Sequence, residues 1–176
     1  MSRGHGWPPN GSGCPELLEF RAERSDASPG RELLTDLNAL LDTQYPGRAA
    51  RPGSVTTPDE LAPPRGRFLV GYEDGVPVAI GGVRHLGAGV GEIKQMYVVP
   101  HARSRGVGRA LLAALEDAAR ALGHTRVRLD AGPEQRHSRT LFVATGYRPI
   151  PPYNGNHIAV FFGEKELSSR DESRDL

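Results

Sequence analysis

The residues Arg103-Ser104-Arg105-Gly106-Val107-Gly108-Arg109 place three arginines and two glycines directly ahead of an apolar run. Such a string suits an anion. Unpaired N–H groups at a helix start carry partial positive charge, small residues let a phosphate come close, and guanidinium groups pair with its oxygens. Taken alone, the string is equally an ordinary strand-to-helix turn with solvated arginines. A Rossmann site would need a third glycine, with an acid about 20 residues further on. Here that glycine is missing, and the string follows a hairpin rather than the first strand of a βαβ unit. A Walker loop would need Gly-Lys-Ser/Thr, which is absent. A nucleic-acid face would spread its basic residues more widely and interleave aromatics, and the formal net charge of this 176-residue chain is only +1. The local reading is a diphosphate-bearing cofactor seated on the turn.

Several elements must position that turn. Leu17–Glu23 reads as a strand. Ser28 and Pro29 supply an N-cap and a first helical residue for a helix whose apolar stripe is Leu33, Leu34, Leu37, Leu40 and Leu41. Tyr45-Pro46-Gly47 ends it. A Pro- and Gly-rich loop then runs to Gly66, with one helical turn at Thr57–Leu61. Arg67–Tyr72 and Pro77–Val83 form a hairpin about Asp74-Gly75. Glu92–Val99 is the strand that Pro100 stops. A helix from Gly106 carries Leu111, Leu115, Ala118 and Leu122 on one face and stops at Gly123. A strand at Arg126–Asp130, a helix at Glu134–Ala144 and a strand pair at Tyr147–Ile150 and Ile158–Phe162 complete a β-α-β-β-β-α-β-α-β order. That order implies an α/β (α+β) fold, a mixed sheet covered by helices.

The totals narrow the setting. One domain is expected over residues 14–167, between a disordered N-terminus at 1–13 and a frayed charged tail at 168–176. The single cysteine, Cys14, has no internal partner and fits a reducing compartment. No apolar run reaches the roughly 20 residues of a membrane span. Met1–Gly13 also lacks the apolar region of a secretory leader. The expectation is a cytoplasmic protein with neither nucleic acid nor membrane as partner. Histidines 5, 85, 101, 124, 137 and 157 show no ligand spacing, so no metal is expected.

The stretch Glu92-Ile-Lys-Gln-Met-Tyr-Val-Val-Pro-His-Ala-Arg-Ser-Arg-Gly-Val-Gly-Arg-Ala-Leu-Leu112 resembles the acetyl-CoA motif of the GCN5-related N-acetyltransferases. Met96, Val98 and Pro100 match its first part, and Arg103, Gly106 and Gly108 its second. Leu129–Gln135 and Gly146–Tyr153 look like a bacterial subgroup of small acetyltransferases. The resemblance covers Leu17 to Glu166. It implies the acyl-CoA N-acyltransferase fold, with a central, mainly antiparallel sheet and helices on both faces. It implies acetyl-CoA as cosubstrate, with its pantetheine arm on the backbone of Met96, Tyr97 and Val98. The pyrophosphate would sit on Ser104, Arg105, Gly106, Val107, Gly108 and Arg109, with Arg103 beside it. An N–H near Tyr97 or Val98 would steady the oxyanion. A primary amine, of a small molecule or a peptide, would attack directly in a ternary complex, so Cys14 has no nucleophilic role.

Glu92 is the candidate base. Regular strand geometry would put it on the face of Met96, about 13 Å away between Cα atoms, with action through water. Its alternative is a carboxylate paired with Lys94 or Arg84. Phe142 stands where many members of the family carry a tyrosine acid. Tyr153, Tyr147 or Tyr97 would have to replace it, and Tyr153 is the candidate carried forward. Arg136 and His137 depart from the subgroup's Glu and Pro, which implies a changed acceptor pocket. That pocket would be built from the first helix, residues 47–64 and Pro151–His157. A homodimer is a further option that the resemblance leaves open, and a non-catalytic acyl-CoA-binding module is the alternative function.

Overall fold

The computed structural model of the chain describes residues 17–50 and 55–169. The N-terminal segment 1–13, Cys14 and most of the expected C-terminal tail lie outside them. Ten elements alternate along the chain. They are β1 (Leu18–Glu23), α1 (Gly30–Gln44), β2 (Arg67–Glu73), β3 (Val76–Gly87), β4 (Val90–Val98), α2 (Val107–Ala121), β5 (Arg126–Ala131), α3 (Arg136–Ala144), β6 (Arg148–Pro149) and β7 (Phe161–Glu166). Single 3-10 turns occupy Arg48–Ala50, Asp59–Leu61 and Pro100–Ala102.

The strands form one sheet in the order β1-β2-β3-β4-β5-β7-β6. Every neighbouring pair is antiparallel except β4 and β5. Two-residue turns suffice for antiparallel neighbours, whereas the parallel pair needs the α2 crossover. Leu111, Leu112 and Leu115 of α2 are fully buried, as are Phe68, Ile80, Val83, Val127 and Leu129 of the sheet. Each such side chain contributes about 1.5–3 kcal/mol on burial, so this layer anchors α2 and the turn before it. Leu33 and Leu37 bury the facing side of α1, while Leu34, Leu40 and Leu41 pack at its margin.

Four details depart from the sequence reading. Pro29 itself takes the N-cap position of α1, and no side chain caps the helix there. Strand β3 runs on to Gly87 and joins β4 through Gly87-Ala88-Gly89, all at positive φ. The last strand is Phe161–Glu166 rather than Ile158–Phe162. Its charged residues have partners across the sheet and under α2. Glu164 accepts from Arg128 Nε at 2.6 Å, and Lys165 bonds both carboxylate oxygens of Glu116 at 3.0 Å. Asn154 and Asn156 meanwhile accept from the backbone N–H two residues on, at 3.1 Å each, which holds 154–158 as turns.

The fourth departure is in β4. Gly82 pairs with Lys94 and Ile80 with Tyr97, so β4 carries one extra residue between them. Gln95 has a φ of +58° at this bulge. An extra residue shifts the alternation of side chains by one. Glu92 and Lys94 therefore share their face with Tyr97, not with Met96 as regular geometry would have it.

Candidate functional site

Strand β4 leaves its parallel neighbour early. Pairing with β5 covers only Val90–Glu92 against Arg126–Arg128. Beyond that point β4 continues through Ile93–Val98, while β5 continues to Ala131 toward β7. The two strands splay, and the β5-side edge of β4 leaves the ladder. Its backbone N–H and C=O groups are then available to an extended ligand, which adds itself as a strand.

The open edge leads into the arginine-glycine turn. Ser104 has a φ of +63° and Gly106, the N-cap of α2, a φ of +83°. Glycine meets no steric cost in that region. The first N–H of the α2 ladder is that of Ala110, which donates to the Gly106 carbonyl at 3.0 Å. The N–H groups of Val107, Gly108 and Arg109 precede it and form the positive end of the helix. The first turn of α2 holds no acidic residue. A Cβ on Gly108 would lie 3.8 Å from Leu141 Cδ2 and 3.9 Å from Val98 Cγ2, so the approach to these N–H groups is clear.

The side chains of this turn divide. Arg103 donates from Nε to the Val98 carbonyl at 2.8 Å and lies over the Tyr97 ring. Arg105 pairs with Glu73 of β2 at 2.7 Å. Arg109 and His101 are exposed. Val107 is buried in the core, so its contribution toward an anion is its backbone.

At the other end of the splay sits a buried polar network. Glu92 has no exposed surface. Its Oε2 accepts from Arg84 Nε at 2.6 Å, and Arg84 also reaches Glu60. Its Oε1 accepts from the Tyr153 hydroxyl at 3.0 Å and from Asn154 Nδ2 at 2.9 Å, with Lys94 Nζ at 3.5 Å. Asp130 of β5 receives Lys94 Nζ at 3.3 Å, Asn154 Nδ2 at 2.7 Å and Asn156 Nδ2 at 3.2 Å. Burial pushes the Glu92 carboxyl up, but the charges of Lys94 and Arg84 and the bond from Asn154 outweigh it, leaving it below the ordinary glutamate value. Burial, followed by the charges of Glu92 and Asp130, pushes the Tyr153 hydroxyl far above its ordinary value.

Glu92 and Tyr153 are thus brought into contact, although 61 residues separate them in sequence. The pairings of Glu92 with both Arg84 and Lys94 are present. The other two tyrosines lie elsewhere: Tyr147 donates to Glu116 under α2, and Tyr97 lies beneath Arg103. Phe142 is buried, with its ring centroid 5.8 Å from that of Tyr147. Asp130, Asn154, Asn156 and Gln95 are site residues that the sequence reading did not single out. Asn154-Gly155-Asn156 carries a turn signature that marks the loop, but nothing local aims it at Asp130.

Between α1, the splayed strands and residues 156–158 lies a cavity of about 420 Å³. Its apolar wall includes Leu37, Leu41, Met96, Leu129, Phe142 and Ile158, and Lys94, Gln95, Asp130 and Asn156 add polar groups. Arg48 stands among its lining residues, held by Asp42 at 3.0 Å and by Asn38 at 3.2 Å. Among the described residues, no group of three or more His, Cys, Asp or Glu is arranged to hold a metal ion, and no helix is long and apolar enough to cross a membrane.

The chain has counterparts among known proteins. The profile of the Acetyltransferase (GNAT) family matches residues 34–147. An IAA acetyltransferase of Azospirillum brasilense is 34% identical over 140 residues, which cover 77% of this chain and 89% of that protein. Among solved structures, a Klebsiella pneumoniae protein assigned to the acyl-CoA N-acyltransferases is 25% identical. It superimposes with a TM-score of 0.69 over 86% of this chain and 99% of its own. The PaiA N-acetyltransferase of Thermoplasma acidophilum, in complex with coenzyme A, gives a TM-score of 0.60 at 14% identity over 85% and 99% of the two chains, a likeness of fold. The chain belongs to the GNAT acetyltransferase family and has its acyl-CoA N-acyltransferase fold. Its chemistry is acyl transfer.

Proposed function

We propose that the protein transfers an acetyl group from acetyl-CoA to a primary amine, of a small molecule or an amino terminus, in a ternary complex. The observation that carries this reading is the free edge of β4 over residues 93–98, which leads into the Gly106–Gly108 helix start. In this proposal the backbone of Met96, Tyr97 and Val98 holds the pantetheine arm. The N–H groups from Ser104 to Arg109 hold the pyrophosphate, with Arg103, Arg105 and Arg109 adding positive charge. Acetyl-CoA supplies a thioester, an acyl group already activated for transfer. The amine nitrogen forms the new C–N bond as the C–S bond breaks and its electron pair leaves with sulfur. One proton passes overall from nitrogen to sulfur. A thiol of pKa about 8.5 is a tolerable leaving group, so Phe142 in the acid position is compatible with turnover.

For Glu92 and Tyr153, the expected base and acid, we favour a positioning role. A carboxylate held ionised by two cations is a weak proton acceptor, and the Tyr153 proton is already committed to it. Together they fix Lys94 and Asn154 against Asp130, at the wall of the cavity.

The test is incubation with acetyl-CoA and a panel of primary amines, following free thiol. IAA is assayed separately, beside the amine panel, because a relative is named for it. Thiol release that depends on an amine is expected. Tight acetyl-CoA binding with no turnover on any acceptor would overturn the reading in favour of a non-catalytic acyl-CoA-binding module.

A further inference from the structure

The 3-10 turn Arg48–Ala50 follows closely on the end of α1, and its Arg48 lines the cavity beside β4. Among the described lining residues three side chains carry a full charge: Arg48, Lys94 and Asp130. His157 can add only positive charge. The uncharged polar side chains, among them Asn38, Thr56, Ser138 and Asn156, bond anions and cations alike and do not discriminate. Lys94 and Asp130 meet each other at 3.3 Å, and Lys94 also lies 3.5 Å from the buried Glu92. Both of these charges are therefore met within the network. Arg48 is placed differently. It holds Asp42 through Nε at 3.1 Å and Nη2 at 3.0 Å, and Nη2 donates to Asn38 at 3.2 Å. Asp42 is outside the lining and its side chain is 56% exposed, so water screens this pair. The Arg48 side chain is itself 29% exposed. The two N–H groups of its Nη1 have no hydrogen-bond partner among the described residues. The anchors orient the planar group in advance, which lowers the entropy cost of binding a ligand on its remaining donors.

We propose that Arg48 is a specificity-determining residue that binds a carboxylate on the acceptor, so that the acceptor class is an amino acid, a primary amine carrying a carboxylate. This rests on the reading of the chain as an amine acetyltransferase and names the substrate class of the same cavity. Guanidinium donors match a carboxylate well in geometry as well as in charge. The rest of the lining sets the two ends of such a molecule apart. The amine goes to the splay, where the pantetheine arm is proposed to run along Met96–Val98. The carboxylate goes toward the end of α1, away from Asp130, whose like charge repels it. Leu37, Leu41 and Ile158 supply apolar wall for the body that joins them. A diamine or polyamine would instead set a second cation against Arg48.

The experiment measures kcat/KM for L-phenylalanine, L-leucine and aminocaproate, each beside its own carboxamide, in the wild type and in Arg48→Gln. The α- and ω-amines together cover short and long separations of the two groups. A carboxamide keeps the size of the carboxylate and removes its charge, but its amine titrates differently. The quantity read is therefore the acid-to-amide ratio in one enzyme against the same ratio in the other. For the amino acid used best, that ratio falls about tenfold to a hundredfold in Arg48→Gln, the effect of one hydrogen bond between charged groups. An unchanged ratio in Arg48→Gln overturns the inference. So does a wild type that acetylates simple amines but no amino acid, a result that needs no variant. Either outcome leaves the acetyltransferase reading standing. A wild type that releases thiol to no amine overturns both.

Discussion

At the Gly106 turn, the cleft beside β4 offers backbone N–H groups on an exposed loop, and its nearest side chains leave the approach clear. At the Glu92 end the same cleft is walled by side chains, with Arg84, Lys94, Asp130, Tyr153 and Asn154, each partly buried, bonded around the fully buried Glu92 or to one another. The first end binds with what every peptide unit carries, and the sequence needs only to keep Cβ atoms away and set two positive φ angles. The second end depends on six side chains from four elements, β3, β4, β5 and the 151–157 segment, meeting in one place. Changes at the two ends should therefore fail differently, in binding at the first and in folding at the second.

The largest effect expected is at the side-chain end. Glu92→Ala removes the buried carboxylate shared by Arg84 and Lys94, leaving them Glu60 and Asp130, and strips Tyr153 and Asn154 of an acceptor, which costs about 3 kcal/mol. At this chain length, thermal denaturation should show Tm lower by roughly 10 °C. A shift under 2 °C would mean that the network contributes little. Next comes Gly108→Glu at the backbone end. It places a carboxylate against the N–H groups proposed to hold the pyrophosphate, and calorimetry should show acetyl-CoA affinity weakened at least about a hundredfold, equivalent to about 2.7 kcal/mol. Because a Cβ there meets only ordinary contacts, Tm should be preserved. Lost stability with retained binding would invert the comparison.

Tyr153→Phe is intermediate. It removes one hydrogen bond to a charged oxygen, about 1.5–3 kcal/mol, and should lower Tm by several degrees while kcat falls less than about tenfold. A fall of a hundredfold or more at unchanged Tm would make Tyr153 a proton donor after all.

The smallest effect concerns pH. His124 is buried with its ring stacked on His85 at 5.4 Å. Burial first, and then the neighbouring histidine, hold it below the ordinary histidine value. The unfolded chain takes up this proton first as pH falls below about 6.5, so stability declines from there toward the folded-state value. His124→Leu should flatten that slope, read as a smaller change in Tm between pH 7 and the acid side. Glu92, also depressed, adds a second decline at lower pH, as it is protonated in the folded state.

The same contrast explains what was legible in the residue string. Asp74-Gly75 marked the β2–β3 hairpin, and Pro100 and Gly106 bracketed the turn before α2, because backbone geometry has local requirements that glycine, proline and aspartate meet. Gln95 gave no such sign. Nothing about a glutamine announces a positive φ, so Glu92 was expected on the face of Met96 when the bulge aligns it with Tyr97. The apolar run Ile158–Phe162 looked like the last strand, yet β7 starts at Phe161, buries Phe161 and Phe162, and runs on through charged residues. Glu164 meets Arg126 and Arg128, and Lys165 meets Glu116, pairings visible only once β5 and α2 are in place. Glu92 and Tyr153 were each singled out, but that one donates to the other follows from the 151–157 segment folding back over the sheet.

The central claim is that the unpaired edge of β4 and the turn after it receive acetyl-CoA. Amide hydrogen exchange with and without acetyl-CoA tests it most directly. Slowed exchange across Gln95–Val98 and Ser104–Arg109, with β1 and β2 unchanged, is the predicted result. Saturating acetyl-CoA that leaves both segments exchanging as in the free protein would contradict the account.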